Sequence, residues 1–311
     1  MFDWRGKQTT LDPGVNGGFD TQVRRNTDSG TDMKESGSVI LRIVDTLFQL
    51  LYQVPGTIAE DVTEKALKAG FRHIDSAAVY GNERECVSAV EKAGLKRSEV
   101  FLTTKILPQA TGYEAAKQSI EDSLKKAKTD YFDLILLHAP FGGKEGRRGA
   151  WRALAEAQKA GKARSIGVSN FGLHHLEDLE EYIKGGDVGR IEVDQYELHP
   201  WLGRADLVTG CISVRETQEK PSSNFDLLES SKSKHLTQAI ATSDLANDRP
   251  LLCIQGFVPL PKSATPERIL ENANVFDFEL DEDDMQSLHT DDYAPSTWDP
   301  TIQQDYRCYS S

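Results

Sequence analysis

The chain has 311 residues, with 36 Lys or Arg against 49 Asp or Glu, so its formal net charge is −13. This charge repels phosphate backbones and excludes general nucleic-acid binding, although it is compatible with a local basic pocket for one phosphate. The four cysteines lie far apart without CxxC spacing, which favours reduced thiols over disulfides or a zinc site. No signal peptide is visible, and the apolar stretch 38–54 carries Arg42 and Asp45, so we expect a cytoplasmic protein without a membrane span.

The part of the sequence before Asp61 shows no regular alternation of elements. Residues 1–37 are rich in Gly, Thr, Asp and Asn and show little apolar periodicity, which predicts a mobile tail. Residues 38–311 are predicted to form a single domain. At its start, residues 39–54 place apolar side chains at helical spacing, so a helix is favoured over a strand there.

From Asp61 onward, helical and strand patterns alternate for about five units. The predicted strands lie in the segments FRHIDSA, VFLTTKI, YFDLILLHA, ARSIGVSN and IEVDQYELH. Uninterrupted apolar runs such as 134–137 are typical of strands buried on both faces of a parallel sheet. The repetition predicts an α/β fold of the closed (β/α)8 barrel type. No GxGxxG follows the first strand, which weighs against a Rossmann fold.

Titratable side chains stand at or just after several predicted strand ends, where a βα barrel has its active site. Asp75 ends the first clear strand and Tyr80 follows it, while Lys105 and His138 end the next two strands. A Lys cation held by an Asp favours the ionised form of a nearby Tyr, and a His can orient a substrate oxygen. This set suits protonation of an oxyanion as a hydride arrives at carbon.

Several motifs together resemble the aldo-keto reductase family, most closely its fungal members. They are HIDSAAVYGNE, LTTK, LILLHAP, IGVSNF, DQYELHPWL and VPLPKSATPERILENANVFDFEL, in the family's order. The resemblance covers about Tyr52–Gly210 and Gln255–Leu288. It implies a (β/α)8 barrel that reduces aldehydes or ketones to alcohols with NADPH and without a metal.

The resemblance also implies roles for individual residues. Tyr80 would be the general acid, Lys105 and Asp75 would tune its pKa, and His138 would orient the substrate. The residues implied at the cofactor are Ser169, Asn170 and Gln195 for the nicotinamide carboxamide, Lys262, Ser263 and Arg268 for the 2′-phosphate of the adenosine ribose, and Glu271 and Asn272 near the adenine. A Lys and an Arg together suit a dianionic phosphate, which favours NADPH over NADH.

Two segments depart from the family pattern. Residues 1–49 do not resemble the family's amino-terminal hairpin and glycine-containing first strand. Residues 211–254 are dense in Ser, Lys and Asp where the family has its seventh strand and pyrophosphate loop. The first and seventh strands of the barrel are therefore in question. The sharp limits of segment 211–254 indicate either a frameshift or mis-spliced transcript, or a diverged family member.

Simpler interpretations remain for single residues: Asp75 could cap a turn, Tyr80 could be a rim aromatic, and His138 could be a structural buried histidine. Two alternative functions also remain open. One is a non-catalytic NADP-binding or scaffold protein on the same barrel, and the other is a chain whose cofactor binding is impaired. A monomer is expected because the sequence contains no coiled-coil heptads or other assembly signal.

Overall fold

The computed structural model describes residues 48–199, 202–204, 207, 260–273, 293–295 and 299–302. The predicted tail 1–37 and the segment 211–254 lie outside these described residues.

Six parallel strands form one sheet in the order in which they occur along the chain. The strands are Phe48–Leu50 (β1), His73–Asp75 (β2), Phe101–Ile106 (β3), Phe132–Leu137 (β4), Ala163–Ser169 (β5) and Val193–Gln195 (β6). The helices are Gly56–Lys68 (α1), Glu83–Lys92 (α2), Tyr113–Ala127 (α3), Gly143–Lys159 (α4), Leu173–Lys184 (α5) and Pro266–Ala273 (α6). Strands β2 to β6 each fall within a segment that the sequence predicted as a strand.

The helix predicted over residues 39–54 is wrong at 48–50, which form β1. Leu50 lies opposite Asp75 in the parallel register of β1 and β2. The helical spacing of leucines is ambiguous in such a short apolar run, because a strand buried on both faces shows no alternation. The edge of β2 supplies the backbone hydrogen bonds that favour a strand over a helix for residues 48–50. The first strand of the barrel is therefore present.

The sheet is curled, as its inner side chains show. Residues from strands that are not neighbours form one buried cluster, namely Leu50, Phe101, Leu134, Leu136, Val193 and Leu260. Residues 260–262 also lie along the outer edge of β1, where the Leu50 amide donates to the Pro261 carbonyl at 3.0 Å and Leu50 pairs with Lys262 in parallel. This segment stands where a barrel has its last strand. The place expected for the seventh strand falls outside the described residues.

A second and larger apolar core lies between the sheet and the helices that cover it. Trp151 of α4 is fully buried there, and its indole N–H donates to the Val188 carbonyl at 2.8 Å. Gly167 of β5 is required by a close backbone approach, since a Cβ atom at this position would lie 2.2 Å from the Val193 carbonyl oxygen. Among the described helices, none is long and apolar enough to cross a membrane.

Candidate active site

A buried ion pair lies at the carboxyl ends of β2 and β3. The Lys105 ammonium donates to one carboxylate oxygen of Asp75 and, at 3.0 Å, to the Ser76 carbonyl. The other carboxylate oxygen of Asp75 accepts the Gln195 amide N–H at 2.9 Å. Asp75 is 0% exposed and Lys105 is 2% exposed. Partners from three strands therefore fix both charges in place.

Tyr80 and His138 meet beside this ion pair. Tyr80 ends the short helical turn Ala78–Tyr80 after β2, and His138 directly follows β4. The Tyr80 hydroxyl lies 3.5 Å from His138 Nε2, and the two rings meet edge to face. The Lys105 ammonium lies 5.2 Å from the centre of the Tyr80 ring. The structure thus brings together all four residues that the sequence predicted at this rim.

The electrostatics of Tyr80 differ from the sequence expectation. Burial raises the pKa of Tyr80 well above its usual value of 10.0, and the charge of Asp75 adds to the rise. Burial and Asp75, rather than Lys105, therefore set the direction of the shift in the Tyr80 pKa. A raised pKa keeps the phenol protonated at neutral pH, which is the form that can donate a proton.

His138 is neutral in this setting. Burial, together with the charge of Lys105, lowers the pKa of His138 from 6.5 to about 3. Its Nδ1 atom is buried without a hydrogen-bond partner in the described part of the chain. An N–H at that position would leave a buried donor unsatisfied, so the proton is favoured on Nε2, the nitrogen that faces Tyr80. A neutral Nε2–H can donate to a substrate oxygen.

The residues implied at the nicotinamide lie next to this group. The Asn170 amide donates to the His138 carbonyl at 2.9 Å and to the Ser169 hydroxyl at 3.2 Å. Asn170 is held in the left-handed region at φ 61°, and its backbone N–H donates to the Gln195 carbonyl at 2.8 Å. Because these contacts use both N–H bonds of the Asn170 amide, its oxygen remains to accept an N–H from a ligand.

The residues implied at the adenosine end lie on the other side of β1. Ser263 is buried, its hydroxyl accepts the Thr265 amide at 3.1 Å, and its carbonyl accepts the Gln49 amide N–H at 2.9 Å. Arg268 and Glu271 are exposed on α6, Asn272 is buried, and Lys262 is partly exposed.

The donor set at this end fits a phosphate dianion. It contains an ammonium and a guanidinium, supplied by Lys262 and Arg268 at or near the start of a helix. The Ser263 hydroxyl between them donates to the Thr265 carbonyl at 3.2 Å. Strand β1 joins the two ends of the site, since Leu50 pairs with Asp75 on one side and with Lys262 on the other.

Sequence reasoning missed Tyr52. Its ring lies edge to face against that of Tyr80 at 5.4 Å between ring centres, it is 42% exposed, and it adds to the rise in the Tyr80 pKa. Tyr52 lies just past the carboxyl end of β1, where the strand-end rule would have found it. A helix predicted over 39–54 places no strand end before Tyr52, which is why the sequence pattern does not mark this residue.

Comparison with known proteins identifies the family. Residues 52–230 match the model of the Aldo/keto reductase family. An uncharacterized oxidoreductase of Schizosaccharomyces pombe is 38% identical over 261 residues, which cover 81% of this chain and 91% of that protein. The glyoxal reductase of Bacillus subtilis is 36% identical over 243 residues, which cover 75% of this chain and 83% of the enzyme. The chain therefore belongs to the aldo/keto reductase family of oxidoreductases.

Solved structures agree with this assignment. MGS-M4, an aldo-keto reductase from a Medee basin deep-sea metagenome library, matches with a TM-score of 0.68 and 29% identity over 83% of this chain and 94% of that one. Bombyx mori aldo-keto reductase in complex with NADP matches in fold with a TM-score of 0.60 and 24% identity over 78% of this chain and 87% of that one. The predicted α/β barrel class is confirmed.

Proposed function

We propose that this protein reduces aldehydes or ketones to alcohols with NADPH. The observation that carries the proposal is the convergence of Tyr80, His138 and the Lys105–Asp75 pair at the carboxyl ends of three neighbouring strands. Bound NADPH supplies a hydride to the carbonyl carbon. The glyoxal reductase activity named for the Bacillus subtilis relative belongs to the same class of carbonyl reduction.

The proton in this reaction comes from Tyr80. As negative charge develops on the carbonyl oxygen, the Tyr80 hydroxyl donates its proton to that oxygen, and the product has gained one hydride at carbon and one proton at oxygen. Lys105 stabilises the phenolate that forms, because its buried cation lies 5.2 Å from the centre of the ring. His138 donates its Nε2–H to the same carbonyl oxygen and orients it.

The remaining site residues bind the cofactor. Ser169, Asn170 and Gln195 hold the nicotinamide carboxamide beside Tyr80. Lys262, Ser263 and Arg268 hold the 2′-phosphate, and Glu271 and Asn272 lie near the adenine. Two cations at the phosphate favour NADPH over NADH.

The deciding experiment is a fluorescence titration of the full chain with NADPH, followed by turnover assays on a panel of aldehydes and ketones. Tyr80→Phe is expected to abolish turnover and to leave NADPH binding intact. Tyr131→Phe is the matched control, because Tyr131 precedes β4 at the opposite end of the sheet, where Arg97 and Arg164 stack on its ring.

Each outcome discriminates between the possible functions. Turnover that survives in Tyr80→Phe would refute Tyr80 as the acid. NADPH binding by the unaltered chain without turnover would indicate a non-catalytic NADP-binding protein. Absence of NADPH binding would indicate a chain with impaired cofactor binding.

A further inference from the structure

A buried arginine joins two distant parts of the chain at the rim of the sheet. Arg204 lies after β6, is 9% exposed and has a left-handed backbone at φ 48°. Its Nη1 donates to the Asp299 carboxylate at 2.6 Å and to the Thr301 hydroxyl at 2.7 Å. Its Nε donates to the Glu197 carbonyl at 3.3 Å. One guanidinium thus holds residues that lie 95 and 97 positions further along the chain.

Asp299 is the centre of the same network. Its carboxylate also accepts the Thr301 amide at 3.0 Å, the Thr301 hydroxyl at 2.7 Å and the Tyr293 hydroxyl. Burial raises the pKa of Asp299, but Arg204 and these donors outweigh it and lower the pKa to about 2, so the ion pair persists at neutral pH. Leu202 pairs with Tyr293 in an antiparallel bridge beside it.

The segment 299–302 reaches the loop that leaves β5. A Cβ atom at Gly172 would lie 1.8 Å from the Thr301 carbonyl oxygen, so the two backbones are in direct contact. Gly172 follows Asn170, whose side chain binds the His138 carbonyl. The segment therefore lies at the end of the sheet that carries Tyr80 and His138.

A buried ion pair contributes little net stability, because desolvation offsets the attraction, but it fixes the register of the elements that it joins. We propose that Arg204 is a positioning residue that fixes segment 299–302 against the loops after β5 and β6 and thereby sets the affinity for the carbonyl substrate. The effect on affinity for the carbonyl substrate rests on the proposed function. The Arg204 network donates to none of the four residues assigned to proton transfer, so its loss raises KM and leaves kcat nearly unchanged.

The test compares Arg204→Gln, Asp299→Asn and the double variant in the full chain. Hydrogen exchange of the amides in 299–302 is expected to become at least about tenfold faster in each, because hydrogen bonds to charged groups are lost. KM for the carbonyl substrate is expected to rise about tenfold while kcat changes less than about twofold. The double variant should show no larger effect than either single variant, because all three variants disrupt the same hydrogen-bond network. Arg204→Lys retains a positive charge beside Asp299, so its KM should lie between those of the unaltered chain and Arg204→Gln.

Arg97→Gln is the matched control. Arg97 pairs with the buried Asp133 at 2.8 Å near the amino ends of β3 and β4, so its loss should lower stability without changing exchange at 299–302 or KM. Unchanged exchange in Arg204→Gln, an unchanged KM, or equal effects in Arg97→Gln would each overturn the proposal. Absence of carbonyl reduction in the unaltered chain would overturn the proposed function and the substrate part of this inference, while the exchange measurement would still decide whether Arg204 holds the segment.

Discussion

The proton-transfer group and the regions that close the barrel are held in different ways. Asp75 and Lys105 lie 30 residues apart, on neighbouring strands. The hydrogen bond from Gln49 to Ser263, which joins β1 to residues 260–263, spans 214 residues. Closing a longer loop costs more conformational entropy. The pair Asp75–Lys105 is therefore held between neighbouring strands, with one further contact from Gln195 that spans 120 residues, whereas the proposed cofactor-phosphate site depends on long-range closure.

The two regions also differ in what holds the charged side chains. Asp75 and Lys105 are buried and neutralise each other inside the barrel. Arg268, on α6, is exposed to solvent. Substitutions in the first region should therefore affect stability and turnover together, while those in the second should affect cofactor affinity more than folding.

The largest effect is expected from Asp75→Asn, which leaves Lys105 buried without its counter-ion. Removing one partner of a buried pair costs about 3–5 kcal/mol, so urea unfolding should show a loss of that size. The kcat should fall by about a hundredfold or more, because Lys105 is no longer fixed. Asp187→Asn removes the exposed pair with Lys159 and should cost less than about 1 kcal/mol. If both variants lose the same free energy of unfolding, the buried pair Asp75–Lys105 does not hold the site as described.

Next is the double variant Lys262→Ala with Arg268→Ala, which removes both cations from the proposed phosphate site. Each charge-assisted hydrogen bond contributes roughly 1.5–3 kcal/mol, so the Kd for NADPH should rise at least about tenfold per residue. The Kd for NADH and the free energy of unfolding should change little. Alanine at the exposed Lys117 and Lys125 of α3 provides the matched loss of two charges. If the Kd values for NADPH and NADH rise by the same factor, these two cations do not recognise the 2′-phosphate.

An intermediate effect is expected from pH. His138 has a pKa of about 3 in the folded chain, against 6.5 for an ordinary histidine, so only the unfolded chain takes up this proton between those values. Stability from this group is complete above about pH 6.5 and is lost as pH falls toward 3, at up to about 1.4 kcal/mol per pH unit. Urea unfolding at several pH values should show a shallower acid slope for His138→Asn. Identical slopes would mean that His138 carries a proton in the folded chain.

The smallest effect is expected from Gln49→Met, which tests the closing contact itself. The Gln49 amide donates to the Ser263 and Leu50 carbonyls, but its buried oxygen has no partner in the described part of the chain. Loss of the two donated hydrogen bonds destabilises the fold, whereas removal of the unsatisfied acceptor stabilises it. The free energy of unfolding should therefore change by about 1 kcal/mol or less. Hydrogen exchange at 260–263 should nevertheless become faster, and NADPH should bind more weakly. Unchanged exchange would show that the segment is held without this contact.

Sequence patterns predicted the region β2 to β6 and failed at its edges. Within the strand Phe132–Leu137, which is buried on both faces, residues 134–137 form an unbroken apolar run, and the next residue, His138, could be placed at the rim from that run alone. Phe48–Leu50 is too short for its pattern to distinguish a strand from a helix, so Tyr52 was missed with it. Arg204 and Asp299 carry no local signal, because each is explained only by a partner far along the chain.

The sequence by itself determined the repeating βα order, the acidic balance of charge and the side-chain types at the strand ends. It also carried the motifs of the aldo/keto reductase family, which the comparisons confirm. Only the tertiary structure decided that β1 closes on residues 260–262, that Arg204 bonds to Asp299 and Thr301, and that burial raises the pKa of Tyr80. The physical reason is that hydrophobic period and strand order are local properties of a chain, whereas desolvation and long-range pairing depend on which distant residues surround each group.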